Sequence, residues 1–509
     1  MNGLSANGVD GASAGTGGTE RPDGRPTALV RMADAGDLYI SWRWTHDLTA
    51  TGVGIVPRAE LTTALTALAA ALPGEALGHA LTSGAFASYD TELALAELLA
   101  RTFLPYGLAK QLHELYERGI RPHLRLQPSP RVAQVPWELL APDPAVRLVE
   151  IADISLLAPV SIAHAPARPS RTWAATRHLP VVGVLDPRVP GFRADSALGS
   201  VLGRMTADAP VARMVAGYLA RERWRPAVQD PVEAFRRTDL DREWLGAALR
   251  EGAGASRLLY VGHVTAAAPE SGQSENAQLH LACSAETAGF APTVRAHRPL
   301  SAKDLLLGTY GLDAGAGTGA GTEARTEAAV GTGSKTGAGT ESTAATENTA
   351  GTESGTQVRT GDTRARTEDI RARTEDIRAR SGDTRARTGD TRWPIPSRVA
   401  LIACESGGDL RFGEALGLAT AMIHGGAETV TAGRWTLPTD LAFHRIAGAD
   451  PAARPLQDAI RAIDAAHERD DAVVAHGDWQ RERLAAWREH RTVEHSPVLW
   501  GAFATISTV

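Results

Sequence analysis

The chain has 509 residues, more than one compact domain usually holds, so its length predicts either several domains or one domain with a long unstructured segment. A net charge of -6, with 22% charged residues, gives no general electrostatic attraction for nucleic acid or an anionic membrane. The N-terminus lacks the basic start and apolar stretch of a secretory signal, and no window reaches roughly 18 uninterrupted apolar residues. We therefore expect a cytoplasmic protein with neither a nucleic-acid nor a membrane partner.

The N-terminal third is predicted to start with a disordered tail and to continue as a small α/β region. Residues 1–26 are rich in Gly, Ala, Ser and Thr and offer little to bury, which predicts the tail. Residues 27–165 form the α/β region, where alternation predicts strands and helical spacing of apolar residues predicts helices. In chain order these are a strand at 37–44, helical segments at 59–72 and 90–118, and a strand at 123–127.

Continuous apolar runs separated by helical patterns predict a mostly parallel sheet. Such runs, typical of strands buried on both faces, lie at 179–187, 256–263, 397–404 and 428–435. Helical spacing occupies 239–250 and 413–424 between them. Alternating strands and helices predict an α/β fold with helices flanking the sheet and ligands at the carboxyl ends of the strands. We assign residues 166–313 and 393–509 to the two parts of this core.

A biased segment at 314–392 separates the two parts of the core. It is rich in Gly, Thr, Ala and Glu and then runs through seven-residue repeats such as RTEDIRA from Arg359 to Arg392. Each repeat carries at most one large apolar residue, which is too few for a coiled-coil seam. The segment is therefore predicted to be a disordered insertion. Its exposed arginines also leave open that it is a linker that the protein cleaves itself.

The chain has only two cysteines, and one of them follows a predicted buried strand. Cys404 ends the run "RVALIAC" and precedes the turn "ESGG", while His263 ends "LLYVGH". A thiol becomes a useful nucleophile when a nearby imidazole takes its proton, and adjacent parallel strands can bring two such ends together. Cys283 has no Gly-rich turn after it and is interpreted as a buried apolar residue. The two cysteines lack metal-ligand spacing, so neither a metal nor another cofactor is expected.

These residues and three further motifs resemble the CHAT family of caspase-like cysteine peptidases, which belongs to the clan of caspases, separases and metacaspases. The resemblance covers most of residues 85–509. "LLYVGH" is similar to the family's histidine strand and "LIACESG" to its cysteine turn. The other motifs are "VPWELL" at 135–140, the helix, turn and strand of "GEALGLATAMIHGGAETVTAGRWTLPTD", and the closing strand "SPVLWGAFATI". The catalytic histidine and cysteine lie 141 residues apart here, but only 63 apart without the 78 residues from 314 to 391, close to caspase spacing.

The resemblance implies a catalytic role for each motif residue. His263 would be the base, and Cys404 would be the nucleophile that forms a thioester with the cleaved carbonyl. The backbone N–H groups of Cys404 and Val264 would hold the oxyanion. Glycine is usual at the position of Val264, and valine keeps the N–H but loses access to positive φ.

Four residues after the cysteine turn and after the next strand are candidates for substrate binding. They are Arg434, Trp435, Asp440 and, more weakly, Asp409. Each has another interpretation: Arg434 as a surface charge, Trp435 as a packing residue at a strand end, and Asp440 as the cap of a helix that starts near Leu441.

The leading functional hypothesis is a bacterial caspase-like endopeptidase that cleaves a specific protein partner in a regulated defence or cell-death pathway. Residues 27–179 show no 34-residue repeat, so a sensor or activator is expected to be either another protein, as a second partner, or the compact segment before residue 85. The alternative is an inactive caspase-like scaffold, which Val264 and the long insertion favour.

Overall fold

The computed structural model describes residues 24–74, 77–309 and 392–508. Nearly all of the predicted tail and, apart from Arg392, all of the predicted insertion lie outside these ranges. The strands of the described residues are β1 (Thr27–Ala35), β2 (Asp37–Trp44), β3 (Thr51–Val56), β4 (His123–Gln127), β5 (Asp153–Leu157), β6 (Val181–Leu185), β7 (Trp224–Arg225), β8 (Arg257–Val261), β9 (Val264–Thr265), β10 (Gln278–Leu279), β11 (Leu300–Ser301), β12 (Arg398–Ile402), β13 (Thr429–Gly433) and β14 (Phe503–Ser507).

Helices connect most of these strands. In the described residues they are α1 (Arg58–Ala71), α2 (Leu77–Thr82), α3 (Tyr89–Phe103), α4 (Tyr106–Glu117), α5 (Leu148–Ile151), α6 (Val160–Ala163), α7 (Trp173–Thr176), α8 (Pro210–Leu219), α9 (Arg242–Arg250), α10 (Ala302–Leu307), α11 (Leu418–His424), α12 (Asp440–Ile446), α13 (Pro455–His467), α14 (Ala472–His490) and α15 (Pro497–Trp500).

One large sheet organises the described residues. Its strand order is β3-β2-β1-β4-β5-β14-β13-β12-β8-β6-β7, and a second sheet has the order β11-β10-β9. Most neighbouring strands of the large sheet are parallel, whereas β1, β2 and β3 form an antiparallel meander and β14 runs antiparallel to β13. The predicted α/β class, with a mostly parallel sheet flanked by helices, is confirmed.

The strands of the N-terminal α/β region continue the large sheet, where β1 pairs with β4. β14, near the C-terminus, pairs with β5, with Ile506 opposite Leu156. β1 and β3 lie outside the strands predicted from the sequence. The helical segment predicted at 90–118 is in fact two helices, α3 and α4, separated by Pro105. Proline at a helix start is tolerated, whereas inside a helix it removes a hydrogen bond and clashes with the preceding turn.

The strands at the centre of the sheet are buried along their whole length. Every residue of β8 and of β12 is buried, as expected where helices cover both faces. Arg257 starts β8, and its Nη1 lies 3.1 Å from Oδ1 of Asp464 in α13. This ion pair attaches the amino end of β8 to a covering helix. The loops that follow the carboxyl ends of β8 and β12 lie at the other end of the strands.

Candidate active site

His263 and Cys404 follow two neighbouring parallel strands at corresponding positions. In the β8–β12 pair, Val261 lies opposite Ile402, and each candidate residue comes two positions later. Gly262 N donates to Ile402 O at 3.3 Å, so the pairing continues to the residue just before His263. Neighbouring strands are about 4.8 Å apart. The structure therefore brings the thiol-bearing and the imidazole-bearing residue to adjacent places on the same edge of the sheet.

The turn after Cys404 has an unusual backbone and is held by a serine. Glu405 has φ 49°, in the left-handed region that few residues other than glycine adopt. The Ser406 hydroxyl donates to Leu401 O at 2.7 Å and accepts from Gly433 N at 2.9 Å. These two bonds attach the turn both to β12 and to β13. The turn begins directly after Cys404, two residues beyond the end of β12.

The Cys404 thiol is half-buried and accepts a hydrogen bond from the backbone. Leu437 N donates to Sγ of Cys404 at 3.4 Å. Burial raises the pKa of Cys404; the Leu437 hydrogen bond lowers it in part, and the Glu405 charge raises it further. The thiol is consequently protonated at neutral pH, and a nucleophilic attack by sulfur requires a base to take its proton.

The His263 imidazole is oriented by a backbone carbonyl. Its Nε2 lies 3.1 Å from Gly199 O. Because a carbonyl oxygen only accepts, Nε2 carries the proton, and Nδ1 of the neutral ring is left as the acceptor. Burial lowers the pKa of His263; the hydrogen bond to Gly199 and the charge of Asp186 raise it, and Arg236 lowers it. The ring is therefore neutral at pH 7 and able to accept a proton.

A buried carboxylate and an arginine fix the loop that presents the Gly199 carbonyl. Asp186 follows β6, and its carboxylate accepts from the Ser200 hydroxyl at 2.5 Å and from Val201 N at 3.1 Å. Arg236 Nη1 donates to Gly199 O at 2.9 Å and to Asp186 Oδ1 at 3.4 Å. Sequence reasoning missed these residues, although an aspartate directly after the buried run "VVGVL" was a signal for a polar group at the same sheet edge.

The peptide between His263 and Val264 is held by a small hairpin. His280 N donates to His263 O at 3.1 Å, and the Tyr260 hydroxyl donates to the same oxygen at 2.7 Å. In antiparallel strands hydrogen-bonded pairs alternate with non-hydrogen-bonded pairs, so Val264 and its partner Leu279 form a non-hydrogen-bonded pair. The Val264 N–H therefore points away from Leu279. This orientation is compatible with the oxyanion role predicted for it.

Two of the substrate-binding candidates, Arg434 and Trp435, are buried. They are 3% and 1% exposed, respectively. Arg434 Nη2 lies 2.9 Å from Glu138 Oε1, and Trp435 Nε1 donates to Val498 O at 2.8 Å. Arg434 is thus neither a surface charge nor accessible to a peptide. Its guanidinium neutralises a carboxylate of the "VPWELL" motif, and Trp435 packs at the end of a strand.

The two aspartate candidates are also buried. Asp440 is 8% exposed and accepts from Leu456 N at 2.8 Å, at the start of α13, whereas Thr439 caps α12 itself. Asp409 is 3% exposed and accepts from Thr420 N at 2.7 Å in α11. Burial raises the pKa of Asp409 to about 6, against partial lowering by the Thr420 hydrogen bonds. The contacts of all four candidates lie within the protein, which corrects the expectation that these side chains contact substrate.

A partly exposed ion pair lies next to Cys404 instead. Glu405 Oε2 and Arg411 Nη1 are 2.6 Å apart, and their side chains are 30% and 25% exposed. The second cysteine, Cys283, is fully buried, and burial raises its pKa. Within the described residues, no cluster of three potential metal ligands occurs and no helix is long and apolar enough to cross a membrane.

Comparison with known proteins adds no assignment. No family model matches the chain, and no curated protein matches it.

Proposed function

We propose that the protein is a caspase-like cysteine endopeptidase with Cys404 as nucleophile and His263 as base. The observation that carries the proposal is the register of β8 and β12, which sets these two residues at corresponding positions beyond neighbouring strand ends. A half-buried thiol and a neutral imidazole with a free Nδ1 are the groups that thiol acyl transfer requires. The resemblance of the surrounding motifs to the CHAT family supports the same class.

In the proposed mechanism, Sγ of Cys404 attacks the scissile carbonyl carbon while the thiol proton moves to Nδ1 of His263. The N–H groups of Cys404 and Val264 donate to the oxyanion of the tetrahedral intermediate. The imidazolium then protonates the leaving amine, the C–N bond breaks and a thioester remains. His263 next removes a proton from water, and the hydroxide adds to the thioester. Cleavage of the C–S bond and return of the proton to sulfur complete the hydrolysis.

The Gly199 carbonyl has a defined part in this cycle. By accepting from Nε2, it keeps the neutral tautomer that has a lone pair on Nδ1, and it stabilises the imidazolium that forms during attack. The Asp186 and Arg236 side chains act by positioning this carbonyl. The proposed substrate is a protein partner in a regulated bacterial defence or cell-death pathway, with a sensor or activator protein as a further partner. Because both cysteines are free, we propose the reducing cytoplasm as its location.

The test is labelling with a library of thiol-reactive peptide electrophiles, with mass spectrometry identifying the modified cysteine. We expect selective modification of Cys404 and a loss of at least about 100-fold in rate with His263→Ala. Cys404→Ala should abolish both labelling and cleavage of any substrate that the preferred peptides identify. The fully buried Cys283 serves as the internal control. Unchanged cleavage by Cys404→Ala would refute the proposed nucleophile.

A scaffold function is the second candidate, and the raised pKa of Cys404 favours it. A thiol that burial keeps protonated reacts slowly unless a base and a substrate are both in place. The two candidates differ in the dependence of labelling on the histidine. A scaffold predicts that Cys404 reacts at the same rate in wild type and in His263→Ala, and the search would then turn from substrates to binding partners.

A further inference from the structure

The strand β3 forms one end of the eleven-stranded sheet and carries exposed apolar side chains. No strand pairs with its outer side among the described residues. Val53 and Ile55 are 68% and 58% exposed, and the strand Thr51–Val56 contains no charged residue. Natural proteins usually protect such edges with lysine, proline, a bulge or a covering loop. An unprotected edge of this kind is typical of a surface to which a strand of another molecule binds.

The hydrogen-bonding groups that face outward from β3 can be identified from its pairing with β2. Trp44 N donates to Ala50 O at 3.2 Å just before the strand, so this is a hydrogen-bonded pair. Alternation along the ladder then makes Ser41–Val53 and Tyr39–Ile55 non-hydrogen-bonded pairs. The N–H and C=O groups of Val53 and Ile55 consequently point away from β2. Val53 and Ile55 thus present four backbone groups, two donors and two acceptors, to the open edge, next to the C=O of Thr51, whose N–H donates to Thr49 O at 2.9 Å.

These four groups are complementary to the same four groups of a second copy. In an antiparallel arrangement with Gly54 on the two-fold axis, Val53 lies opposite Ile55 of the partner subunit, and Ile55 opposite the partner's Val53. Both are then hydrogen-bonded pairs and use all four outward groups. The close central pair consists of two glycines. A register shifted by two residues toward the C-terminus would use Pro57, which has no N–H to donate.

Apolar side chains lie on both sides of the place that a partner strand would occupy. Tyr39, 38% exposed, lies opposite Ile55 on one face and would extend its apolar row onto the partner's Val53. On the other face a Cβ at Gly54 would lie 2.9 Å from Pro105, so α4 begins directly beside the edge. Tyr106, the next residue, is 84% exposed. A strand added to β3 would therefore extend the row of Tyr39 and Ile55 on one face and lie beside the start of α4 on the other.

We propose that two copies of the chain associate through antiparallel pairing of β3 with β3, which joins the two large sheets into one. The interface is isologous, so pairing through β3 closes at the dimer. The opposite end of the sheet, β7, has only two residues and is followed by Pro226, which limits further growth there. An extended peptide of another protein on the same edge is the competing occupant, and it predicts a chain that is monomeric by itself.

The experiment is sedimentation of the full chain over a concentration series, comparing wild type with Val53→Lys. The lysine should weaken the dimer at least about 100-fold, because a charge on each copy then lies within the apolar row of the paired strands. Val160→Lys is the matched control, since Val160 is 57% exposed on α6. It should leave the dimer unchanged. A wild type that remains monomeric throughout, or a Val53→Lys variant that dimerises like wild type, would overturn the proposal.

Two further experiments test the interface independently. Tyr106→Ala removes a side chain that is 84% exposed, so it should weaken the dimer without affecting the folded subunit, which circular dichroism would verify. In a Cys404→Ala background, Val53→Cys mixed with Ile55→Cys should form an intermolecular disulfide under oxidation, because the opposed Cα atoms of a hydrogen-bonded pair lie about 5.5 Å apart. Val53→Cys alone should crosslink less. Equal crosslinking in both samples would contradict the Gly54-centred register.

Discussion

The ion pair between Arg434 and Glu138 is fully buried, which makes Arg434→Met a sensitive test of its structural role. The two side chains are 3% and 4% exposed and 2.9 Å apart. Arg434 also donates to Gly501 O at 2.9 Å, while Glu138 Oε2 has no hydrogen-bond partner. Removing the guanidinium leaves a buried carboxylate without its countercharge. Breaking such a pair from one side costs about 3 to 5 kcal/mol of unfolding free energy.

The assay is urea denaturation at pH 7, comparing wild type, Arg434→Met and the double variant Glu138→Leu with Arg434→Met. Replacing both partners by apolar residues of similar size is often neutral or stabilising, so the double variant should recover most of the loss. A substrate-binding Arg434 predicts the opposite pattern, with lower cleavage activity and unchanged stability. A loss below about 1 kcal/mol for Arg434→Met, the range of surface pairs, would refute the structural interpretation.

Two further predictions concern pH. Burial lowers the pKa of His280 to about 3 from an ordinary 6.5, so unfolding takes up a proton below pH 6.5. The contribution of His280 to the unfolding free energy should be complete above pH 6.5 and should fall by roughly 2 kcal/mol by pH 5. His280→Gln should remove this part of the pH dependence in urea titrations, and an unchanged dependence would contradict the assignment. Burial raises the pKa of Asp409 to about 6 from 3.8, so the contribution of Asp409 has the opposite sign and decreases as pH rises through that window. The unfolding free energy of Asp409→Asn, taken relative to that of wild type, should rise by about 3 kcal/mol from pH values below 3.8 to pH values above 6. A difference between the two proteins that does not change with pH would rule out the buried charge as the cause.

The parts of the fold that could be predicted from the sequence are those with a strong local pattern. β2 alternates apolar and polar residues and was predicted with its observed bounds, while β6, β8, β12 and β13 are continuous apolar runs. β3 reads Thr-Gly-Val-Gly-Ile-Val, in which glycines at alternate positions hide the strand pattern. Its formation depends on pairing with β2 and on Trp42, which lies against Gly52. Strand pairing and packing of this kind cannot be inferred from the sequence of the strand alone.

The same limit explains which site residues were predicted. His263 and Cys404 could be placed because each directly follows a buried apolar run, and parallel strands bring their carboxyl ends to one edge. Arg434 was interpreted as exposed because charged residues rarely lie inside a protein without a partner. Its partner, Glu138, is 296 positions away in the sequence. A buried ion pair of this separation becomes visible only in the folded chain.

Burial favours the uncharged form of both residues of the proposed dyad, Cys404 and His263. It raises the pKa of the Cys404 thiol and lowers that of the His263 imidazole, so each group is pushed toward its neutral form. A thiolate–imidazolium pair is therefore disfavoured in the free protein, and the proposed mechanism requires the proton to move to Nδ1 as the sulfur attacks. An imidazolium formed at that moment gains most from the Gly199 carbonyl, which already accepts from Nε2. In the proposed mechanism, the loop that Asp186 and Arg236 hold in place would therefore affect the rate of thiol activation, and the Leu437 N–H on Sγ would stabilise negative charge that develops on the sulfur.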